Sequence, residues 1–174
     1  MTTIGVLVGS LSQHAYSQRL ADHVMQTPCV AKFVQLNYDL LPLYNPDLET
    51  EPILEWQVFR SVVAQMDALL IVTPEYNFSV PGGLKNAIDV LSVASSAPVH
   101  QPVLVVTASA GDRGGANANA HLQQLLRYMG MDVVNDWLTI GHVQADFDSQ
   151  NRLVNPRVTQ QLEQAVAHLL AAIK

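Results

Sequence analysis

Three stretches of the chain concentrate residue types that bind or stabilise charge. The longest is Pro74-Glu-Tyr-Asn-Phe-Ser-Val-Pro-Gly-Gly-Leu-Lys85. Pro74 and Pro81 stiffen its backbone, while Gly82 and Gly83 permit close approach and leave N–H groups free at a helix start. Such a loop suits a flat, partly apolar ligand. Tyr76 is available for stacking, and Glu75, Tyr76 and Asn77 would contact a ligand mainly through their backbone. The second stretch, Gly9-Ser-Leu-Ser-Gln-His-Ala-Tyr-Ser17, leads from an apolar run into a helix. That junction offers unpaired N–H groups and the positive end of a helix dipole to a phosphate. Ser10, Ser12 and Ser17 add hydroxyl donors, or else serve as caps and solvent-facing loop residues. The third, Ser109-Ala-Gly-Asp-Arg-Gly-Gly-Ala-Asn-Ala-Asn119, carries glycines at 111, 114 and 115. Gly111 and its neighbours let the backbone pass close to a planar group, or simply make a flexible loop. Arg113 within it either meets a phosphate or is solvated.

These stretches need strands and helices to hold them together. Thr3 to Gly9, Ala31 to Leu36, Ala68 to Val72, Pro102 to Thr107 and Met131 to Val134 read as strands. The central ones are apolar runs too short for helices, the pattern of a strand buried on both faces. Apolar positions at helical spacing mark helices over Arg19 to Met25, about Ile53 to Met66, and Leu84 to Leu91 after the Pro81-Gly82-Gly83 breaker. Two more follow, Ala118 to Met129 closed by Gly130, and a last one from Pro156. Ser10 to Ser17 reads as loop, and Trp137 to Val143 as extended chain. Alternating strands and helices imply a parallel sheet with right-handed crossovers. Five strands in this rhythm suit the flavodoxin-like order 2-1-3-4-5, whose ligands bind outside the strands' carboxyl ends. All three candidate stretches leave those ends.

Length and composition narrow the function classes. A chain of 174 residues predicts one domain spanning 1–174 with a full core. Hydrophobic residues make up 49% and charged ones 14%, and the net charge is −6, which gives nucleic acid no electrostatic footprint. With one cysteine, Cys29, neither an intrachain disulfide nor a cysteine zinc site is expected, and a reducing cytoplasm is the natural compartment. No apolar run suggests a membrane span or a signal peptide. The first loop has neither G-x-G-x-x-G nor the Walker lysine, and no G-x-S-x-G elbow exists. The six histidines lack metal-ligand spacing, so no metal site is expected.

The run Thr73-Pro-Glu-Tyr-Asn-Phe-Ser-Val-Pro-Gly-Gly-Leu-Lys-Asn-Ala-Ile-Asp89 closely resembles the flavin-binding loop of the NADPH-dependent FMN reductase family. That family is flavodoxin-like and includes quinone, chromate and azo-dye reductases. The likeness extends from Ile4 to at least Met131, including Leu41 to Glu49, which is similar to a connection near the flavin edge. It implies a three-layer α/β sandwich binding FMN, with NADPH or NADH as co-substrate. Hydride would pass through FMN to a small-molecule acceptor such as a quinone, free flavin, nitro or azo compound. A homodimer or homotetramer is also implied, and no side chain is singled out as catalytic. Ser10, Ser12, Ser17, Pro74, Glu75, Tyr76, Asn77, Gly82, Lys85, Ser109 and Gly111 are the cofactor-binding positions the resemblance and the loops together select. Lys85 and the helix starting near Gly83 would face the negative charge gathered near N1 and O2 on flavin reduction, unless Lys85 is a plain surface lysine.

The chain departs from the family's phosphate loop, usually Gly-Ser-Leu-Arg-x-x-Ser-x-Asn. Ser12 stands for the arginine, Ala15 for the serine and Ser17 for the asparagine. Asn117 stands where the third loop commonly has an arginine. A missing charge-assisted hydrogen bond is worth about 1.5–3 kcal/mol, so FMN affinity is expected to fall unless Arg19 or another cation substitutes. Two other readings accompany the enzyme: a flavodoxin-type electron carrier, and a partner-binding protein with weakened flavin affinity.

Overall fold

Alternate residues along each central strand must leave on opposite sides of the sheet, and both sets here are apolar. In a computed structural model of the chain, which describes residues 1–51, 53–93 and 97–173, that alternation builds a layer on each face. The strands are β1 (Thr3–Val8), β2 (Lys32–Gln35), β3 (Ala68–Thr73), β4 (Pro102–Ala108), β5 (Asp132–Val133) and β6 (Leu138–Ile140). The helices are α1 (Tyr16–Gln26), α2 (Leu54–Ala64), α3 (Gly82–Leu91), α4 (Ala116–Tyr128) and α5 (Pro156–Ala172). Leu70, Val72, Leu104 and Val106 face α1 and α5, meeting Leu20, Val24, Leu162 and Leu169. Leu69, Ile71, Val103 and Val105 face the other way, onto Trp56, Phe59, Leu84, Ile88 and Leu122 of α2, α3 and α4.

The sheet is parallel in the flavodoxin-like order β2-β1-β3-β4-β5. The fifth position differs from the expected single strand Met131 to Val134. It is shared by β5, which pairs with Pro102 and Val103, and β6, which pairs with Val106 to Ala108 farther along β4. Asn135 and Asp136 lie in the break between them, a polar pair that carries no strand periodicity. The extended chain expected over Trp137 to Val143 is a strand only at Leu138–Ile140, and a short 3-10 turn follows at Val143–Asp146.

Two helix starts also move, and both matter for the loops. Helix α1 begins at Tyr16, three residues before the apolar spacing shows it, so Ser17 belongs to its first turn and not to the loop. Helix α3 begins at Gly82, with Pro81 as its N-cap, so the glycines open the helix and do not precede it. First-turn N–H groups have no intrahelical partner anyway, which makes these positions tolerant of sequences that score poorly as helix. Among the described residues no helix is long and apolar enough to cross a membrane.

Candidate active site

Parallel register brings the three loops to one edge. Val8 is level with Val72, Thr73 with Thr107, and Thr107 with Thr139, so the chains leaving β1, β3 and β4 emerge side by side. Gly9 tightens this edge. Its N–H donates to the Val72 carbonyl at 2.8 Å, and a Cβ at Gly9 would collide with the Thr73 side chain.

The first loop is short of partners. Ser10 is buried and its Oγ accepts from the Ser12 N–H at 3.2 Å, while Ser12 is exposed and accepts from the His14 N–H at 3.3 Å. Ala15, the N-cap of α1, gives the helix no side-chain cap. Ser17 is 2% exposed, yet its Oγ has no hydrogen-bond partner. A buried hydroxyl left unsatisfied costs about 1–3 kcal/mol, and here it sits at an uncapped, electropositive helix end. A helix end of this kind suits an anion. Arg19, the candidate to replace the cation missing at Ser12, places its guanidinium over the Tyr16 ring at 4.7 Å and 6.0 Å from the Phe147 ring. Beside this loop opens a cleft of about 300 Å³ lined by Ser10, Ser12, Gln18, Asn37, Tyr38 and Asp39.

The second loop is fully wired. Tyr76 and Ser79 exchange both backbone hydrogen bonds at 3.0 Å, closing a two-residue turn over Asn77 at φ 50° and Phe78 at φ 62°. Such turns require positive φ at both central positions and usually take glycine. Asparagine tolerates it, but a phenylalanine held there costs about 1–2 kcal/mol. Four of its side chains pin the loop. The Tyr76 hydroxyl is hydrogen-bonded to Ser10 Oγ at 2.9 Å, joining the second loop to the first. Glu75 accepts from the Ala118 N–H at 3.0 Å and from Asn117 Nδ2 at 3.3 Å. Helix α4 has no cap of its own at Gly115, so the carboxylate of Glu75 serves as that cap from outside, an N-terminal contact worth about 0.5–2 kcal/mol. The expected backbone role of Glu75 therefore leaves out its side chain, which is a structural anchor. Ser79 Oγ meets His121 Nδ1 at 2.8 Å. Arg113 from the third loop lies over the Phe78 ring at 5.8 Å.

Pro74 before the turn and Ser79 at its close are half-buried, and Gly82 is exposed at the start of α3. A Cβ built on Gly82 meets nothing within 4 Å. Lys85 is not free: its Nζ donates to both carboxylate oxygens of Asp89, at 2.7 and 2.8 Å. The third loop folds back on β6. The Ser109 N–H donates to the Ile140 carbonyl at 3.0 Å, Ser109 Oγ donates to the Gly111 carbonyl at 3.1 Å, and Gly111 itself is exposed. Gly114 and Gly115 have φ of 58° and 81°, and a Cβ on either would press into Ile140 or Thr107.

Tyr38 is a residue that loop-reading missed. It is buried, donates from its hydroxyl to the Val8 carbonyl at 2.7 Å, and its ring would touch a Cβ on Gly83. Burial first, then Tyr76 and Asp39, push its hydroxyl far above the ordinary tyrosine range. One signal existed: Asn37 and Tyr38 follow β2, whose carboxyl end shares the edge of the other loops. A second cleft, apolar and about 220 Å³, lies between α1 and α5 around His23, Cys29 and Leu162. It sits by the C-terminus of α1, at the opposite edge of the sheet, and gathers none of the candidates.

One edge of the sheet thus gathers an uncapped helix start with a hydroxyl lacking a partner, three loops and an unobstructed Gly82. Residues 2–145 match the sequence model of the NADPH-dependent FMN reductases. The chain belongs to that family. A quinone reductase of Pseudomonas putida is 42% identical over 135 residues, covering 74% of this chain and 72% of that protein. An NAD(P)H-dependent FMN reductase of Pseudomonas aeruginosa is 35% identical over 167 residues, covering 92% and 89%. Among solved structures, the flavoenzyme NAD(P)H:(acceptor) oxidoreductase FerB of Paracoccus denitrificans superposes with a TM-score of 0.85 at 24% identity, covering 99% of this chain and 97% of that one. As a member of the FMN reductase family the chain is an NAD(P)H-dependent oxidoreductase with FMN as its cofactor. The residues present fit such a group: Ser17 and the α1 start at the phosphate end, and the unobstructed Gly82 at the ring end.

Proposed function

We propose that this reductase carries hydride from NAD(P)H to a quinone by way of FMN seated across the three loops, with free flavins, nitro and azo compounds as further acceptors. FMN supplies the hydride-accepting and hydride-donating chemistry. The protein's part is placement. Ser10, Ser12 and Ser17 with the start of α1 hold the phosphate. Pro74 and the backbone of Glu75, Tyr76 and Asn77 line the ring, Gly82 leaves room for it, and Ser109 with Gly111 closes the far side. The start of α3 supports negative charge on the ring, while Lys85, already neutralised by Asp89, adds little to it. The observation that carries this reading is the buried, partnerless Ser17 hydroxyl at an uncapped helix start in a chain of this family.

The cheapest test is the visible spectrum of the purified protein before and after adding FMN and then NADPH. A reductase takes up FMN, bleaches with NADPH, and recovers colour on adding a quinone. A flavodoxin-type carrier binds flavin but does not bleach. A protein that stays colourless is the partner-binding alternative, which the pairing of Lys85 with Asp89 and of Arg19 with Tyr16 favours over the carrier. FMN is preferred to FAD, since the phosphate end stops at α1 with no adenosine fingerprint; comparative titration decides this.

The same proposal includes a cytoplasmic protein with one domain over residues 1–174, assembled as a homodimer or homotetramer. Support for assembly comes from Leu40, Leu43, Leu54 and Val58, which are 82%, 80%, 69% and 53% exposed along the β2 exit and α2. Light scattering behind a sizing column measures the assembly, and a monomer at micromolar concentration removes that part.

A further inference from the structure

Where the second and third loops meet, the molecule holds a feature that flavin placement does not use. Phe78 is 69% exposed, so its ring adds little to the core, yet the turn holds it outward at positive φ. Over that ring, at 5.8 Å, lies the guanidinium of Arg113. Arg113 is exposed and has no carboxylate partner among the described residues. The neighbouring acids are engaged elsewhere, Asp112 with His142 at 3.1 Å and Glu75 with the start of α4. His121 is hydrogen-bonded to Ser79.

Resting on the reductase reading above, we propose that Phe78 and Arg113 form a docking platform that selects flat aromatic acceptors carrying negative charge. An exposed ring gives an apolar face for stacking, and the guanidinium offers a planar fork of donors to an enolate or carboxylate beside that ring. A guanidinium also binds phosphate, but the exposed ring beneath it adds the stacking face that an aromatic anion uses. Arg113 stands alone over that ring. The pair bridges the loops after β3 and β4, at the mouth of the site where the second substrate must enter. Ionised hydroxyquinones combine both required properties in one molecule.

The test uses the full chain loaded with FMN. At saturating NADPH, kcat/KM is measured for 2-hydroxy-1,4-naphthoquinone, ionised at neutral pH, and for uncharged 2-methyl-1,4-naphthoquinone. The ratio of the two should fall roughly tenfold in Arg113→Gln, mainly through KM, the size expected for one charge-assisted hydrogen bond. Arg113→Lys should restore part of it, and added salt should lower the ratio in the wild type but not in Arg113→Gln. In parallel, redox-inert 2-naphthoate is titrated by calorimetry onto the oxidised protein. It should compete with the charged quinone and weaken in both Arg113→Gln and Phe78→Leu. An unmoved ratio with unmoved naphthoate binding overturns the platform. So does a rise in KM for NADPH with the acceptor ratio unchanged, which would assign Arg113 to the nucleotide. Absence of FMN uptake or of any quinone reduction in the wild type would instead sink the underlying reading, and the naphthoate titration would still decide the platform.

Discussion

The first and second loops leave neighbouring strands, yet they are built in opposite ways. The loop from Pro74 to Pro81 meets its own demands internally: a closed turn, a carboxylate capping α4, and hydroxyl bonds to Ser10 and His121. The loop from Gly9 to Ala15 leaves an uncapped helix and a buried hydroxyl unsatisfied. One is a strained turn already closed by its own hydrogen bonds. The other ends in groups still without partners. The comparison separates two quantities that binding studies usually merge. On the proposed reading, the second loop would set which planar group fits, and the first how tightly its phosphate is held.

The largest effect should come from filling the open space at Gly82. Gly82→Val places a branched side chain where no atom lies within 4 Å, so the apo protein should melt within about 2 °C of wild type. FMN affinity should drop at least a hundredfold, read by fluorescence quenching. Normal binding by a stably folded variant would remove the second loop as the ring site and erase the contrast. Next in size, Ser12→Arg returns the cation to the first loop. FMN should tighten by roughly tenfold to a hundredfold, with a steeper salt dependence. Unchanged affinity in calorimetry would mean that the first loop is not what limits binding.

Much of this contrast was legible in the chain itself, and the rest was hidden for physical reasons. The buried strands announce themselves because both of their faces are apolar, so strand order followed from rhythm and crossover rules. The loops were legible through Pro74, Pro81 and Gly82. The start of α1 was not, because Tyr16, Ser17 and Gln18 carry no apolar periodicity and Ala15 is no cap. That error hid the burial of Ser17. Contacts between loops were also invisible. Nothing local to Glu75 says that its carboxylate reaches the N–H of Ala118, since that pairing depends on β3 and β4 lying side by side. Tyr38 went unseen because it follows the edge strand, outside every loop with glycine or proline punctuation.

Tyr38 lies beneath both loops, between Val8 and Gly83, and so tests whether they share a floor. Tyr38→Phe deletes the hydrogen bond to the Val8 carbonyl and should cost about 1 kcal/mol, or about 2–4 °C in Tm. The pH dependence has a definite sign. The folded protein holds this hydroxyl protonated above the ordinary tyrosine range, chiefly through burial. Its contribution to stability is therefore complete below about pH 10, the unfolded value, and fades as pH rises toward the folded one. The deficit of Tyr38→Phe should be constant from pH 7 to 9 and shrink above 10 in denaturant titrations. A deficit that grows with pH would contradict the burial argument.

The smallest effect is the most discriminating, because its sign changes between the two states of the protein. Ser17 Oγ is buried and partnerless without a ligand, so the hydroxyl lowers the stability of the apo protein. Ser17→Ala removes a polar atom that has nothing to bond, and replacing it with hydrogen leaves no sizeable cavity. The apo protein should gain up to about 1 kcal/mol, the lower part of the range for an unsatisfied buried hydroxyl. As the proposed donor to the FMN phosphate, the same hydroxyl should on removal weaken binding by roughly fivefold to tenfold. Melting curves with and without FMN therefore ought to cross: the variant above wild type when apo, and below or level with it at saturating FMN. A hydroxyl that were merely a structural residue of α1 would shift both curves in the same direction. Parallel shifts would thus return the first loop to an ordinary helix start, and the phosphate would have to be sought among Ser10, Ser12 and the third loop.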